Sequence, residues 1–165
     1  MSFNSFLSDT VSTVVGGTIL AVLFFVVQEK CFALPVLSGR WYFQTETLDT
    51  AYNPFKGMTL RFVCMIWQEG PVIHGTFEKI HEKSSTGERD YVGTNRKRGN
   101  LEGYVDKFYF SKDRIQVHMV EEGFGRESTT FVELVVETKS ELSGSFHSMV
   151  ADQNGRVRFQ RGPFG

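Results

Sequence analysis

Leu37-Ser38-Gly39-Arg40-Trp41 carries a pattern that decides the fold: an aliphatic residue, one spacer, a glycine, one spacer and an apolar residue. It returns as Ile73-His74-Gly75-Thr76-Phe77, Leu101-Glu102-Gly103-Tyr104-Val105 and Leu142-Ser143-Gly144-Ser145-Phe146. In an extended chain alternate side chains share a face, so the aliphatic residue, the glycine and the last apolar residue point the same way. A glycine inside an inward row lets a strand bend sharply without crowding the interior, and a small barrel needs that bend to close. The uneven spacing of the four copies argues against a solenoid or propeller, which repeats at a fixed period.

Outward from these segments the period stays at two. Turn signals such as Asn53-Pro54, Glu69-Gly70-Pro71, Arg98-Gly99-Asn100, Lys112-Asp113, Lys139-Ser140 and Asn154-Gly155 arrive every 10–15 residues. They predict strands over 39–48, 58–68, 72–82, 101–110, 114–121, 127–138, 142–150 and 155–161. A ninth segment, 89–95, reads as a loop or an extension of a neighbour. The expectation is an all-β, eight-stranded antiparallel barrel over 38–165, with no amphipathic helix of twelve residues inside it.

Parity then assigns the interior to Trp41, Phe43, Leu60, Phe62, Cys64, Ile73, Phe77, Leu101, Val105, Ile115, Val117, Met119, Val132, Leu134, Val136, Phe146, Val157 and Phe159. Continued toward the strand ends, the same rows meet polar residues: Thr45, Thr47, Lys79, His81, Arg126, Ser128, Thr130 and Arg161. A barrel of this size is either filled by side chains or holds one small ligand. Cations and hydroxyls on an inward row at one end suit an anionic ligand at a barrel mouth.

Ahead of the barrel, Thr10 to Gln28 holds no charge and includes the unbroken apolar run Ile19-Leu20-Ala21-Val22-Leu23-Phe24-Phe25-Val26-Val27. About 19 such residues make a helix of roughly 28 Å, close to the ~30 Å hydrocarbon core of a bilayer. The stretch 1–9 reads as a short tail, 10–28 as a transmembrane helix and 29–37 as a juxtamembrane linker. No basic residue precedes the run and no small-x-small site follows it, unlike a cleaved signal peptide. Lys30, Arg40 and Lys56 lie on its C-terminal side, so the positive-inside rule places the barrel in the cytoplasm. Cys31 beside the membrane and Cys64 mid-strand do not make a disulfide framework. Thr13, Gly17 and Ala21 recur every fourth residue, a spacing that lets two membrane helices pack closely and predicts self-association.

The 18 basic and 19 acidic residues leave no global field to attract a nucleic acid polymer. No phosphate-binding glycine loop, His-Glu-x-x-His, Cys-x-x-Cys or Gly-x-Ser-x-Gly is present, so neither enzyme nor metal site is expected. His74, His81, His118 and His147 lie on separate strands.

Gly39-Arg40-Trp41 with Arg161 resembles the Gly-x-Trp and closing arginine of the lipocalin and calycin barrels, where the arginine lies over the indole and shuts one end. With the membrane span added, the chain resembles the membrane-bound β-barrel effectors of CBASS antiphage defence. The most family-like segment runs from Leu142-Ser143-Gly144-Ser145-Phe146 through Asp152-Gln153-Asn154-Gly155-Arg156-Val157-Arg158-Phe159-Gln160-Arg161. That family usually has two membrane helices, and one is visible here. The resemblance implies a protein of the bacterial inner membrane. Its barrel binds a cyclic dinucleotide made by a cognate nucleotidyltransferase, and the bound nucleotide controls oligomerisation and membrane disruption. Arg126 would then bind phosphate through its planar fork, with Ser128 and Thr130 beside it and Tyr91 and Tyr104 as stacking surfaces. The other class left open is a membrane-tethered, lipocalin-like carrier or scaffold for an apolar ligand or a partner protein.

Overall fold

The computed structural model describes residues 3–31, 33–108, 110–122 and 127–165, the side chains of 3–9 and 28–31 excepted. Arg126 therefore lies outside the described residues. The chain divides into two units, residues 1–33 and 34–165.

The first unit is one helix, α1 (Phe3–Cys31), longer at both ends than the uncharged run. Its stretch Thr10–Val27 has a mean hydropathy of 2.3, long and apolar enough to cross a membrane. Thr13, Gly17 and Ala21 lie along one face and, with Val14, Thr18, Val22 and Phe25, line a shallow groove. The Thr18 hydroxyl donates back to the Val14 carbonyl (2.9 Å), which satisfies it without a partner helix.

The second unit is a closed antiparallel barrel of eight strands with a lipocalin-like fold. Its strands are β1 (Gly39–Asp49), β2 (Thr59–Glu69), β3 (Val72–Ser84), β5 (Arg98–Asp106), β6 (Arg114–Glu122), β7 (Glu127–Val136), β8 (Glu141–Ser148) and β9 (Gln153–Gln160). Each pairs with the next along the chain, and β1 pairs with β9 to close the ring. The doubtful segment resolves into a short strand, β4 (Gly87–Asp90), hairpinned onto the end of β3, followed by a loop. Closure leaves no open edge for another chain to pair with in the barrel wall.

The glycine rows explain how the ring bends. A Cβ added at Gly75, Gly103 or Gly144 would come within 2.5, 2.1 and 1.8 Å of a carbonyl oxygen on the neighbouring strand. No side chain fits that approach. Gly39 differs: it sits at φ +112, a conformation open to glycine and strained for other residues.

Half of the interior is filled. Trp41 and Phe43 are fully buried, and Leu37, Ile66, Ile73, Leu101, Ile115, Leu134, Leu142 and Phe159 pack below them. The space left among that lower set is only about 10 Å³. Phe43 stacks between Phe62 and Phe159, both with centroids 4.5 Å away, and Phe77 meets Phe43 edge-on at 6.0 Å. The inward list from parity is buried throughout, except that Leu60 and Val136 are half-buried against the same core.

Arg161 shuts this end. Its guanidinium carbon lies 3.9 Å from the Trp41 ring centroid. The same group donates to the carbonyls of Val36 (3.1 Å), Ser38 (3.0 Å) and Arg40 (3.3 Å). The Trp41 indole N–H donates to the Leu37 carbonyl (2.7 Å). Burial away from water lowers the Arg161 pKa from its ordinary value.

Candidate ligand-binding site

Among the described residues, the opposite end of the barrel is open. A cavity of about 420 Å³ enters between the strand ends, within the size range of small-molecule sites. Its floor is aromatic, made by Phe43, Phe62, Phe77 and Phe146. Hydroxyl and amide groups form much of the wall: Thr45, Thr47, Ser128, Thr130, Ser148 and Gln153. Most of that wall is internally bonded. Thr130 donates to Ser148 (3.1 Å), Thr47 to Gln153 (3.1 Å), and the Gln153 amide to the Val150 carbonyl (2.8 Å). Such bonds hold the polar groups in fixed directions before any ligand arrives.

Charge gathers at the lip. Lys79 is only 7% exposed, and its ammonium lies 3.4 Å from Glu121 and 3.9 Å from Glu82. Lys97 reaches the same Glu121 carboxylate at 3.9 Å. Above them the Tyr91 hydroxyl donates to Glu82 (2.9 Å). Burial first, then the Glu82 carboxylate, raises the Tyr91 pKa. Lys79 also lies 5.9 Å from the Phe62 ring centroid and 6.0 Å from that of Tyr91. A cation held between two carboxylates and two rings is oriented but not neutralised for good, since an incoming anion can take the place of one carboxylate.

The segment after β4 is strapped across this lip. Arg96 donates to the Tyr91 carbonyl (3.3 Å) and pairs with Glu78 (3.0 Å), and Arg98 holds the other Glu78 oxygen (3.0 Å). Phe55 and Met58, from the turn between β1 and β2, complete the rim.

The residues expected at the mouth divide. Ser128 and Thr130 line the cavity. Tyr91 stands at its lip, outside the lining. Tyr104 is not part of it: Leu101 and Val105 face inward on β5, so Tyr104 faces out and is 45% exposed. Instead it borders an outer groove with His118, Phe131 and His147. His81 is displaced as well. An extra residue in β3, Ile80, shifts the register so that His81 pairs with the outward Arg61. There it bonds Asp90 (2.8 Å) and Glu88 (3.3 Å) on the β4 hairpin.

That bulge hid a lining residue from sequence reasoning. Glu82 sits opposite the inward Leu60 and so faces the cavity, which strict alternation denies it. Glu121 extends the inward row of Ile115, Val117 and Met119 and is a wall residue near the end of β6. Lys97 and Phe55 come from loops, where periodicity carries no signal, whereas Met58 continues the inward row of Leu60 and Phe62 just ahead of β2. Among the described residues no group of His, Cys, Asp and Glu is placed to hold a metal ion.

No protein-family profile and no curated protein matches the chain. Solved structures do share its fold. EF1p2_mFAP2b bound to DFHBI superposes with a TM-score of 0.55 at 11% identity, covering 76% of this chain and 94% of that one. A de novo designed fluorescence-activating β-barrel gives 0.51 at 16% identity, over 76% and 94%. The redesigned barrel mFAP1 bound to DFHBI gives 0.53 at 10% identity, again over 76% and 94%. At such identities the likeness is one of fold: the C-terminal unit is a small closed barrel similar to designed ligand-binding barrels.

Proposed function

We propose that the chain is a membrane-anchored sensor whose barrel binds a cyclic dinucleotide at its open mouth and controls self-association of α1 in the bacterial inner membrane. The observation that carries this reading is the cavity itself: an aromatic floor for flat bases beneath a wall of fixed hydroxyls and amides, with Lys79 and Lys97 at the lip for phosphate. The reading is supported by the CBASS-effector resemblance and by a helix able to span a bilayer on the N-terminal side of the barrel. The Thr13-Gly17-Ala21 face supplies the surface through which helices assemble once ligand is bound. With the barrel in the cytoplasm, the mouth samples the compartment in which a nucleotidyltransferase works.

A specific observation favours a second reading. Three carboxylates, Glu82, Glu121 and Glu127, line the same cavity as two lysines, and the floor is wholly apolar. An uncharged apolar ligand avoids the repulsion that two phosphates meet there. That reading is a membrane-tethered carrier.

Calorimetric titration of the detergent-solubilised full chain separates the two. A panel of cyclic dinucleotides is expected to give one saturable ligand, with binding weakened at least tenfold by Lys79→Met and by Thr130→Val. Binding of an apolar dye that Lys79→Met leaves unchanged, with no heat from the whole panel, supports the carrier and overturns the sensor.

A further inference from the structure

The shut end of the barrel carries an unused feature. The loop joining β5 and β6 exposes Phe110 completely and leaves Phe108 half-exposed beneath the Arg114 guanidinium, 5.7 Å from its ring centroid. Lys107, Lys112 and Arg114 flank these rings against two acidic residues, Asp106 and Asp113. Lys107 pairs with Asp113 at 2.8 Å and Lys112 with Glu137 across to the next loop, which fixes the loop's base while its ring-bearing tip projects. Rings at a tip with cationic stems beside them are what the headgroup layer of a bilayer accepts: the ring enters the acyl boundary and the ammonium groups remain among phosphates.

A second, independent observation names the occupant. Residues 36–38 are pinned to this same end by Arg161, by the Trp41 indole and by the bond from the Leu37 N–H to Gln68 (2.9 Å). Only five Cα steps separate Val36 from Cys31, where α1 ends, a contour of about 18 Å at full extension. The shut end is therefore the tethered end, while the mouth lies at the far end of an 11-residue strand. We propose that Phe108 and Phe110 form a lipid-contact element, seated in the interface of the bilayer that α1 crosses, which holds the barrel with its mouth toward the water. This rests on the reading of α1 as a membrane span.

Tryptophan variants of the full chain, reconstituted in vesicles of three parts phosphatidylcholine to one part phosphatidylglycerol, test it. Acyl-chain-brominated phosphatidylcholine quenches indoles in contact with lipid. Phe24→Trp reports the helix, Phe110→Trp the loop and Met149→Trp the turn beside the mouth. The fluorescence added by Phe24→Trp and by Phe110→Trp is expected to fall at least twofold with brominated lipid, and that added by Met149→Trp to stay unchanged. Quenching of Phe24→Trp without Phe110→Trp, or equal quenching of Phe110→Trp and Met149→Trp, overturns the lipid contact and leaves the span intact. No quenching of Phe24→Trp overturns the span, and the contact falls with it.

Discussion

Trp41 joins three tasks in one side chain. It fills the shut end, it hydrogen-bonds the Leu37 carbonyl that precedes β1, and it offers its face to Arg161. Trp41→Ala removes the filling and leaves Arg161 over a void, so a loss of about 3–5 kcal/mol is expected in denaturant unfolding of the full chain in detergent. Cys64, next to it across the β1–β2 ladder, is buried, and burial pushes its thiol from 9.0 up to about 12. The folded state therefore keeps a proton that the unfolded state gives up. Stability is fully present below about pH 9 and falls by roughly 1.4 kcal/mol per pH unit up to about 12. Unfolding midpoints measured across that range should show the decline, and Cys64→Ala should reduce it. The partnership of Trp41 and Arg161 was readable from the chain only through family likeness. Nothing in periodicity relates two residues at opposite ends of a barrel-forming sequence, because their contact exists only once β1 meets β9.

At the scale of strands, the recurring glycines do the bending, and their geometry gives a sharp expectation. A methyl at Gly144 would sit 1.8 Å from the Glu133 carbonyl oxygen, a backbone atom that cannot swing aside. Gly144→Ala should therefore abolish the folded state or lower its midpoint steeply. Gly162→Ala, with open space around it, should leave the midpoint unchanged; both are read by circular dichroism on heating. These glycines, and nearly all of the core, were legible because inward rows keep their parity from end to end. Legibility stopped at the β3 bulge. One added residue, Ile80, exchanged the faces of His81 and Glu82, and a bulge has no signature in a row where both neighbours are polar. Tyr104 is a different case: the alternation of Leu101 and Val105 already placed it outside, and only the family-derived demand for stacking surfaces drew it to the mouth. The turns that cap the cavity, with Phe55, Met58 and Lys97, fold back through backbone bonds such as Met58 N–H to Phe55 O (3.0 Å) and Lys79 N–H to Lys97 O (2.9 Å). Local composition does not encode such returns.

For the whole molecule, the barrel is divided along its axis into a solid half and a hollow half. The solid half holds the fold together, which frees the other from the need to pack. That division lets the lip keep a lysine and carboxylates that a filled core would exclude. The methionines report on the two halves directly. Met58 and Met119 line the cavity, whereas Met65 is exposed on the outer surface of β2. Methyl spectra of the full chain, labelled at methionine and titrated with a panel of cyclic dinucleotides, therefore place a ligand as well as detect it. One nucleotide is expected to shift the Met58 and Met119 methyls in a saturable way while Met65, on the outer face of β2, stays fixed. Shifts confined to Met65, or none from any nucleotide in the panel, would contradict binding at the mouth.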